Sequence, residues 1–184
     1  DLLTAVSLNN LASVQERMGL YEQALPLYER ALAIREKRRG PEHPETAESV
    51  NNLAGLYRHM GLFDQSVTLM ERALSMNEKA LGREHPTVAM SCNNLAELYK
   101  LVGRYDKALP LYQRALAIAE KSLGPEHEAT ASGLNNLAGM YYALGSPEKV
   151  EPLLIRALAI REKRFGTAHS ETAQTLNNLA MHYR

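Results

Sequence analysis

The pair Asn9-Asn10 returns as Asn51-Asn52, Asn93-Asn94, Asn135-Asn136 and Asn177-Asn178, each time 42 residues on and each time inside the frame large-Asn-Asn-Leu-Ala. Self-similarity at one fixed spacing of this size belongs to stacked structural units, each burying its apolar face against its neighbours. A closed globular fold is thereby excluded, and function is to be sought on a repeated surface.

Every period is helical throughout. Leu8, Leu11, Ala12 and Gln15, then Ala24, Leu27, Tyr28, Ala31 and Leu32, recur at i, i+3, i+4 and i+7, the spacing of one face of an α-helix. Gly19, Gly61, Gly103 and Gly145 end the first run of each period and predict tight helix-to-helix turns. Gly40, Gly82, Gly124 and Gly166 end the second run, and Pro44 and Pro86 suit the first turn of the helix that follows, where a missing N–H costs nothing. First helices are thus predicted over 1–18, 44–60, 86–102, 128–144 and 170–184, and second helices over 21–39, 63–81, 105–123 and 147–165. Pro26, Pro110 and Pro152 fall about a turn and a half into the second helices and predict a local bend in each.

The helical period and the absence of Trp exclude a propeller of WD type, while HEAT and armadillo arrays have a compatible repeat length. Residue spacing decides between them. Val50, Leu53, Ala54 and Tyr57, or Cys92, Leu95, Ala96 and Tyr99, form a large-x2-Leu-small-x2-Tyr pattern, followed by small-x3-large as in Ala108 and Tyr112. This resembles the tetratricopeptide (TPR) repeat of about 34 residues, with the additional residues in a lengthened second helix and the loop after it. The longer form is similar to the kinesin-light-chain type. Its carriers are Asn-Asn-Leu-Ala-x-Leu-Tyr at 51–57 and 93–99, Arg-Ala-Leu-x-Ile at 30–34, 114–118 and 156–160, and Gly-Pro-Glu-His-Pro at 40–44.

The resemblance implies an all-α, right-handed α-solenoid of TPR helix-turn-helix repeats. We expect a single array with repeats 1–42, 43–84, 85–126 and 127–168 and the first helix of a fifth repeat at 169–184. The start at Asp1 and the stop within a period read as an excerpt of a longer protein.

Two adjacent asparagines in mid-helix need an external reason, because Asn is worse than Ala there by roughly 0.5–0.7 kcal/mol. With Leu8, Leu11 and Ala12 turned to the second helix, Val6, Asn9, Asn10, Ser13, Glu16 and Arg17 form the opposite stripe. The resemblance places that stripe in the concave groove, where asparagines of this family hold the backbone of a bound peptide. A purely structural role is the alternative, in which an Asn bonds the neighbouring repeat. We assign one Asn of each pair to each role. The expected peptide-binding residues are Asn9, Asn10, Ser13, Arg17, Glu48, Asn51, Asn52, Arg58, His59, Asn93, Asn94, Glu97, Lys100, Asn135, Asn136 and Tyr142. Specificity is expected where the stripe varies, with Arg58, His59 and Lys100 a local basic patch and Gly55 and Gly139 leaving pockets; Gln174, Met181 and Arg184 complete the stripe. Kinesin light chains bind acidic peptides carrying a tryptophan, and here Glu16, Glu48 and Glu97 dilute the positive charge.

Other clusters have structural readings. His43, His85, His127 and His169 also recur at the period, but stacked repeats hold equivalent residues too far apart to share a metal ion. They read as loop histidines that start the next helix. The basic runs at 35–39 and 161–164 lie at helix C-termini, where cations meet exposed carbonyls. Interleaved Glu36 and Glu162 argue against nucleic acid. Tyr28, Tyr57, Tyr99, Tyr112 and Tyr141 read as core, and Cys92, in a slot elsewhere filled by Leu or Val, reads as a small buried hydrophobe.

Lys+Arg and Asp+Glu balance at 21 each, so no global field draws the chain to a polyanion. No run is apolar enough to span a bilayer and no signal pattern opens the chain; a single cysteine is compatible with a reducing, cytoplasmic compartment. No phosphate loop, nucleophile elbow or His-Glu-x-x-His motif is present. The sequence therefore predicts a non-enzymatic protein-interaction module, scaffold or adaptor, binding a partner's peptide and needing no cofactor or metal. The alternative is a structural spacer, or an array that self-associates end to end through its uncapped last helix.

Overall fold

A computed structural model describes residues 1–183; Arg184, expected in the last helix and on the recognition stripe, lies outside the described residues. Those residues hold nine α-helices and one 3-10 turn, and no strand. They divide into two compact units, Asp1–Arg83 and Glu84–Arg184.

The first unit contains α1 (Leu2–Arg17), α2 (Tyr21–Arg39), α3 (Pro44–His59) and α4 (Phe63–Leu81). Helix α1 packs on α2, α2 on α3 and α3 on α4. Tyr28 and Leu32 of α2 bury with Val50, Leu53 and Leu56 of α3 and with Ala73 and Met76 of α4 in one apolar cluster. A fully buried side chain such as Leu56 contributes about 2 kcal/mol relative to leaving it exposed.

The second unit contains α5 (Pro86–Leu101), α6 (Tyr105–Ser122), α7 (Glu128–Ala143), α8 (Val150–Phe165) and α9 (Ser170–His182). They pack in the same consecutive order, with Ala138, Val150 and Leu154 at the centre of a cluster that also takes in Tyr141 and Leu179.

The turn inside each period follows from its glycine. Gly19 has φ 76°, a left-handed conformation open to Gly at little cost. Its N–H donates to Glu16 O at 2.9 Å and that of Leu20 to Gln15 O at 2.9 Å, the paired bonds that close a helix C-terminus. Between periods, the histidines act as N-caps. His43, His85, His127 and His169 each accept through Nδ1 from the backbone N–H two residues on, at 3.1–3.2 Å. A second lock was not anticipated from sequence: the fully buried Thr46, Thr130 and Thr172 donate to the carbonyls of Gly40, Gly124 and Gly166 at 2.8–2.9 Å.

Two expectations are corrected. In the fourth period Pro147–Lys149 form a 3-10 turn and α8 starts only at Val150. Pro152 therefore sits in the first turn of α8, where it removes no helical bond, whereas Pro26 and Pro110 lie inside α2 and α6. The basic runs are not uniformly solvated either. Arg35 and Arg161 are 5% and 2% exposed, because each continues the core stripe of its helix at i+4 and i+7 from Ala31 and Tyr28, or from Ala157 and Leu154. Arg35 Nη1 donates to Glu45 O (2.7 Å), Glu48 Oε2 (3.0 Å) and Ser49 Oγ (3.0 Å). Arg161 Nη1 donates to Glu171 O (3.0 Å) and Thr175 Oγ1 (2.8 Å), and Nη2 pairs with Glu171 Oε2 at 2.7 Å and Glu128 Oε1 at 3.3 Å. A buried guanidinium is tolerated when its charge is paired and most of its donors are met; here the Nη groups of Arg161 are bonded, while its Nε is buried without a partner.

Of the tyrosines expected in the core, Tyr28, Tyr99 and Tyr112 are buried and Tyr57 and Tyr141 are half-buried; Cys92 is buried.

Candidate functional site

In the first unit the stripe on α1 and α3 is held by polar contacts between the helices. Asn52 Nδ2 donates to Asn9 Oδ1 at 2.9 Å. One turn and more further on, His59 Nδ1 lies 2.9 Å from Glu16 Oε1 and Arg58 Nη2 lies 3.4 Å from His59 Nε2. These partners place the imidazole proton on Nδ1, donated to Glu16, with Nε2 accepting from Arg58. The other Glu16 oxygen accepts from Tyr28 Oη at 2.7 Å. Burial, and the bond and negative charge of Glu16, push the Tyr28 phenol well above the usual tyrosine range.

Asn9 is buried, Asn10 and Arg17 are exposed, and Ser13, Asn51, Asn52 and Arg58 are half-buried. Glu48, exposed on the same stripe, is engaged with Arg35. Gly55 is open, with Glu16 Oε1 3.9 Å from where a Cβ would stand.

In the second unit the stripe on α5, α7 and α9 encloses a cavity of about 340 Å³. Its floor is apolar: Tyr112, Ala138, Val150 and Leu154 are buried there, with Gly139 beside them. Asn135, Asn136, Asn178, Glu97 and Lys100 supply its polar walls. Tyr142 and Met181 stand at the rim, 57% and 52% exposed. Lys100 Nζ is 3.3 Å from the position a Cβ at Gly139 would take, so the missing side chain keeps this space open. Burial, reinforced by the charge of Glu97, pushes the Tyr112 phenol up, above the usual tyrosine range.

Asn178 Nδ2 donates to Asn135 Oδ1 at 2.9 Å, the counterpart of the Asn52–Asn9 bond. The structure brings Glu97, Lys100, Asn135, Asn136 and Tyr142 together around one cavity. Asn93 is half-buried nearby on α5 and Asn94 is exposed. Sequence reasoning missed the contributions of Tyr112, Leu154 and Asn178 to this cavity. The period itself was the available signal: Asn178 occupies the place of Asn136 one repeat on, and Leu154 that of Tyr112.

No helix among the described residues is long and apolar enough to cross a membrane, and no group of three or more His, Cys, Asp or Glu among them is placed to hold a metal ion.

Comparison with known proteins gives a consistent picture. A family model described as Tetratricopeptide repeat matches residues 3–79, 48–121, 87–163 and 129–184. No curated protein matches. Among solved structures, BtubC (BKLC) from P. vanneervenii superposes with a TM-score of 0.85 at 28% identity, over 96% of this chain and 70% of that one. The nearly identical TPR-like repeats of a Podosopora anserina chain, provisionally named as a kinesin light chain, superpose at 0.85 and 29% identity over 100% of this chain and 87% of that one. A point variant of those repeats gives 0.84 and 30% identity, over 96% of this chain and 84% of the other.

Proposed function

The chain belongs to the tetratricopeptide-repeat family, with repeats of the kinesin-light-chain-like type, and from that premise we propose that it is a scaffold or adaptor module binding an extended peptide segment of a partner protein. Tetratricopeptide repeats generally mediate protein–protein interaction and are typically non-catalytic. The peptide lies along the first-helix stripe of a unit, that of α1 and α3 in the first or that of α5, α7 and α9 in the second, and no chemistry is performed on it.

The observation that carries this reading is the cavity of the second unit, with its apolar floor and amide-lined wall. Its volume is at the lower end of ligand cavities, which span about 300–1,000 Å³. It has room for a side chain of an extended ligand rather than for a whole folded surface. Amide groups beside it suit a peptide backbone, which offers a donor and an acceptor at each residue.

A random 12-residue peptide library selected against the full chain tests the proposal. Enriched peptides are expected to lose binding on Tyr142→Arg or Arg58→Glu, which alter the stripe in one unit each. Failure to enrich any peptide, or enrichment indifferent to both changes, counts against it.

A further inference from the structure

Successive repeats serve as controls for one another, and one junction differs from its counterparts. Between α1 and α3 the groove side is closed by two contacts, Asn52 Nδ2 to Asn9 Oδ1 at 2.9 Å and His59 Nδ1 to Glu16 Oε1 at 2.9 Å. Between α7 and α9, Asn178 Nδ2 donates to Asn135 Oδ1 at 2.9 Å. Between α5 and α7 the same places hold Asn93 with Asn136 and Lys100 with Ala143. Ala143 has no polar side chain to offer, and Asn93 Oδ1 is buried without a hydrogen-bond partner. Buried acceptors are nearly always met, so one left open among bonded counterparts asks for an explanation.

The step from a second helix to the next first helix repeats the contrast. Arg35 of α2 reaches Glu45 O and Ser49 Oγ on α3, and Arg161 of α8 reaches Glu171 O and Thr175 Oγ1 on α9. From α6 to α7, Ala119 stands in place of the arginine and Gly133 in place of the hydroxyl residue. A Cβ at Gly133 would stand 3.3 Å from Leu116 Cδ1. Bare backbone there lies on an apolar side chain, and no directional bond resists sliding. What does join the two repeats lies along α6 and the loop after it. Glu120 pairs with Arg156, Gln113 Nε2 donates to Tyr141 Oη at 3.2 Å, and Thr130 Oγ1 donates to Gly124 O at 2.8 Å.

A junction tied on one side and untied on the other is built as a hinge. We infer that α7 and α8 swing on α6 between the open arrangement of the structure and a closed one, in which Asn136 Nδ2 donates to Asn93 Oδ1 as its counterparts do. Closure draws α7 toward α5 and narrows the gap between Lys100 and Gly139 that keeps the cavity open. The closed arrangement satisfies the orphaned acceptor, and the open one keeps the cavity. Motions of packed helices of this kind take microseconds to milliseconds, and the minor state of such a pair is populated at about 0.1–10%. The inference stands apart from the peptide-binding reading. Its consequence for that reading is that a ligand side chain in the cavity and the Asn136–Asn93 bond exclude each other, so the bond acts as a built-in competitor.

The test is methyl relaxation dispersion by NMR on the full chain, with Leu, Val and Met methyls labelled and no ligand present. The methyls of Val150, Leu154 and Met181, which line the cavity, are expected to show exchange, while those of Val50 and Leu53 in the first unit stay flat. Asn136→Ala and Asn93→Leu each remove one half of the closing bond and are expected to abolish the exchange. Gly139→Gln fills the gap and meets only the flexible end of Lys100; it is expected to abolish the exchange with both asparagines in place. Lys163→Ala, on an exposed ion pair, leaves the exchange unchanged. Circular dichroism and thermal midpoints establish that each variant is folded. Flat profiles in the parent chain overturn the inference, as does exchange that survives either asparagine substitution. Exchange lost in both of those and retained in Gly139→Gln also overturns it, because the motion would then not close the cavity.

Discussion

Asn52 donates its side-chain amide to Asn9 across the gap between α3 and α1 at 2.9 Å, and Asn9 is buried in doing so. The two asparagines that looked redundant in one dimension are thus halves of a bond between successive repeats. Removing one half strands the other. Asn9→Leu, close in shape, is expected to destabilise the chain by about 1–3 kcal/mol because the Asn52 amide loses its acceptor. Asn93→Leu removes an acceptor that has no donor and is expected to leave stability unchanged or raise it. Urea denaturation midpoints of the two variants decide the matter; equal losses would mean that the bond is not what the first pair contributes.

Arg161 and Lys163 sit two residues apart in α8 and differ completely in setting. The guanidinium is buried against Glu171, Glu128 and Thr175, while the Lys163 ammonium pairs with Glu126 at 2.5 Å with both side chains about two-thirds exposed. Arg161→Ala leaves a gap in the packing and takes the cation from the part-exposed carboxylates of Glu128 and Glu171, and is expected to cost about 1–3 kcal/mol. Lys163→Ala breaks only a solvated pair and is expected to cost under about 0.5 kcal/mol. Thermal unfolding of both variants separates the two predictions, and a small effect of Arg161→Ala would show that the cluster adds nothing.

The period, the helices and their glycine turns were legible because each follows from local chemistry. A left-handed glycine such as Gly19 or a cap such as His43 acts within a few residues of itself. Arg35 was less visible because a cation near a helix C-terminus has a sufficient solvated explanation. The signal was nevertheless there: Arg35 continues the stripe of Tyr28 and Ala31, while Lys37 does not. The lone amide of Asn136 was not legible at all. All five copies carry Asn-Asn, and nothing local to the pair at 135–136 sets it apart.

His127 occupies a capping position usually held by Ser, Thr, Asp or Asn, and its Nδ1 accepts from Ala129 N–H at 3.1 Å. The contact contributes by satisfying one of the N–H groups that a helix start leaves unpaired. His127→Ala is expected to lower stability by about 1 kcal/mol and His127→Asn to restore most of it. A thermal-melt series of wild type, Ala and Asn checks this, and an Asn variant no better than Ala would argue that the ring acts by packing instead.

Tyr28 and Tyr112 give the chain a defined response to alkali. Burial is the first cause for both, with Glu16 adding to it at Tyr28 and Glu97 at Tyr112, so each phenol ionises at higher pH in the folded chain than in the unfolded one. Below the unfolded value, about 10, both states are protonated and stability is unaffected by pH on their account. Above it the unfolded state sheds protons that the native state keeps, and the equilibrium moves toward unfolding. Stability is therefore expected to fall as pH rises past about 10. Tyr112→Phe removes one responsible group without removing its ring from the core. The variant should match the parent near neutrality and hold more of its stability at about pH 11, measured by urea unfolding at both pH values. Parallel losses in the two proteins would assign the alkaline sensitivity to other groups, and a variant already weaker at neutral pH would show that the Tyr112 hydroxyl contributes to the fold itself.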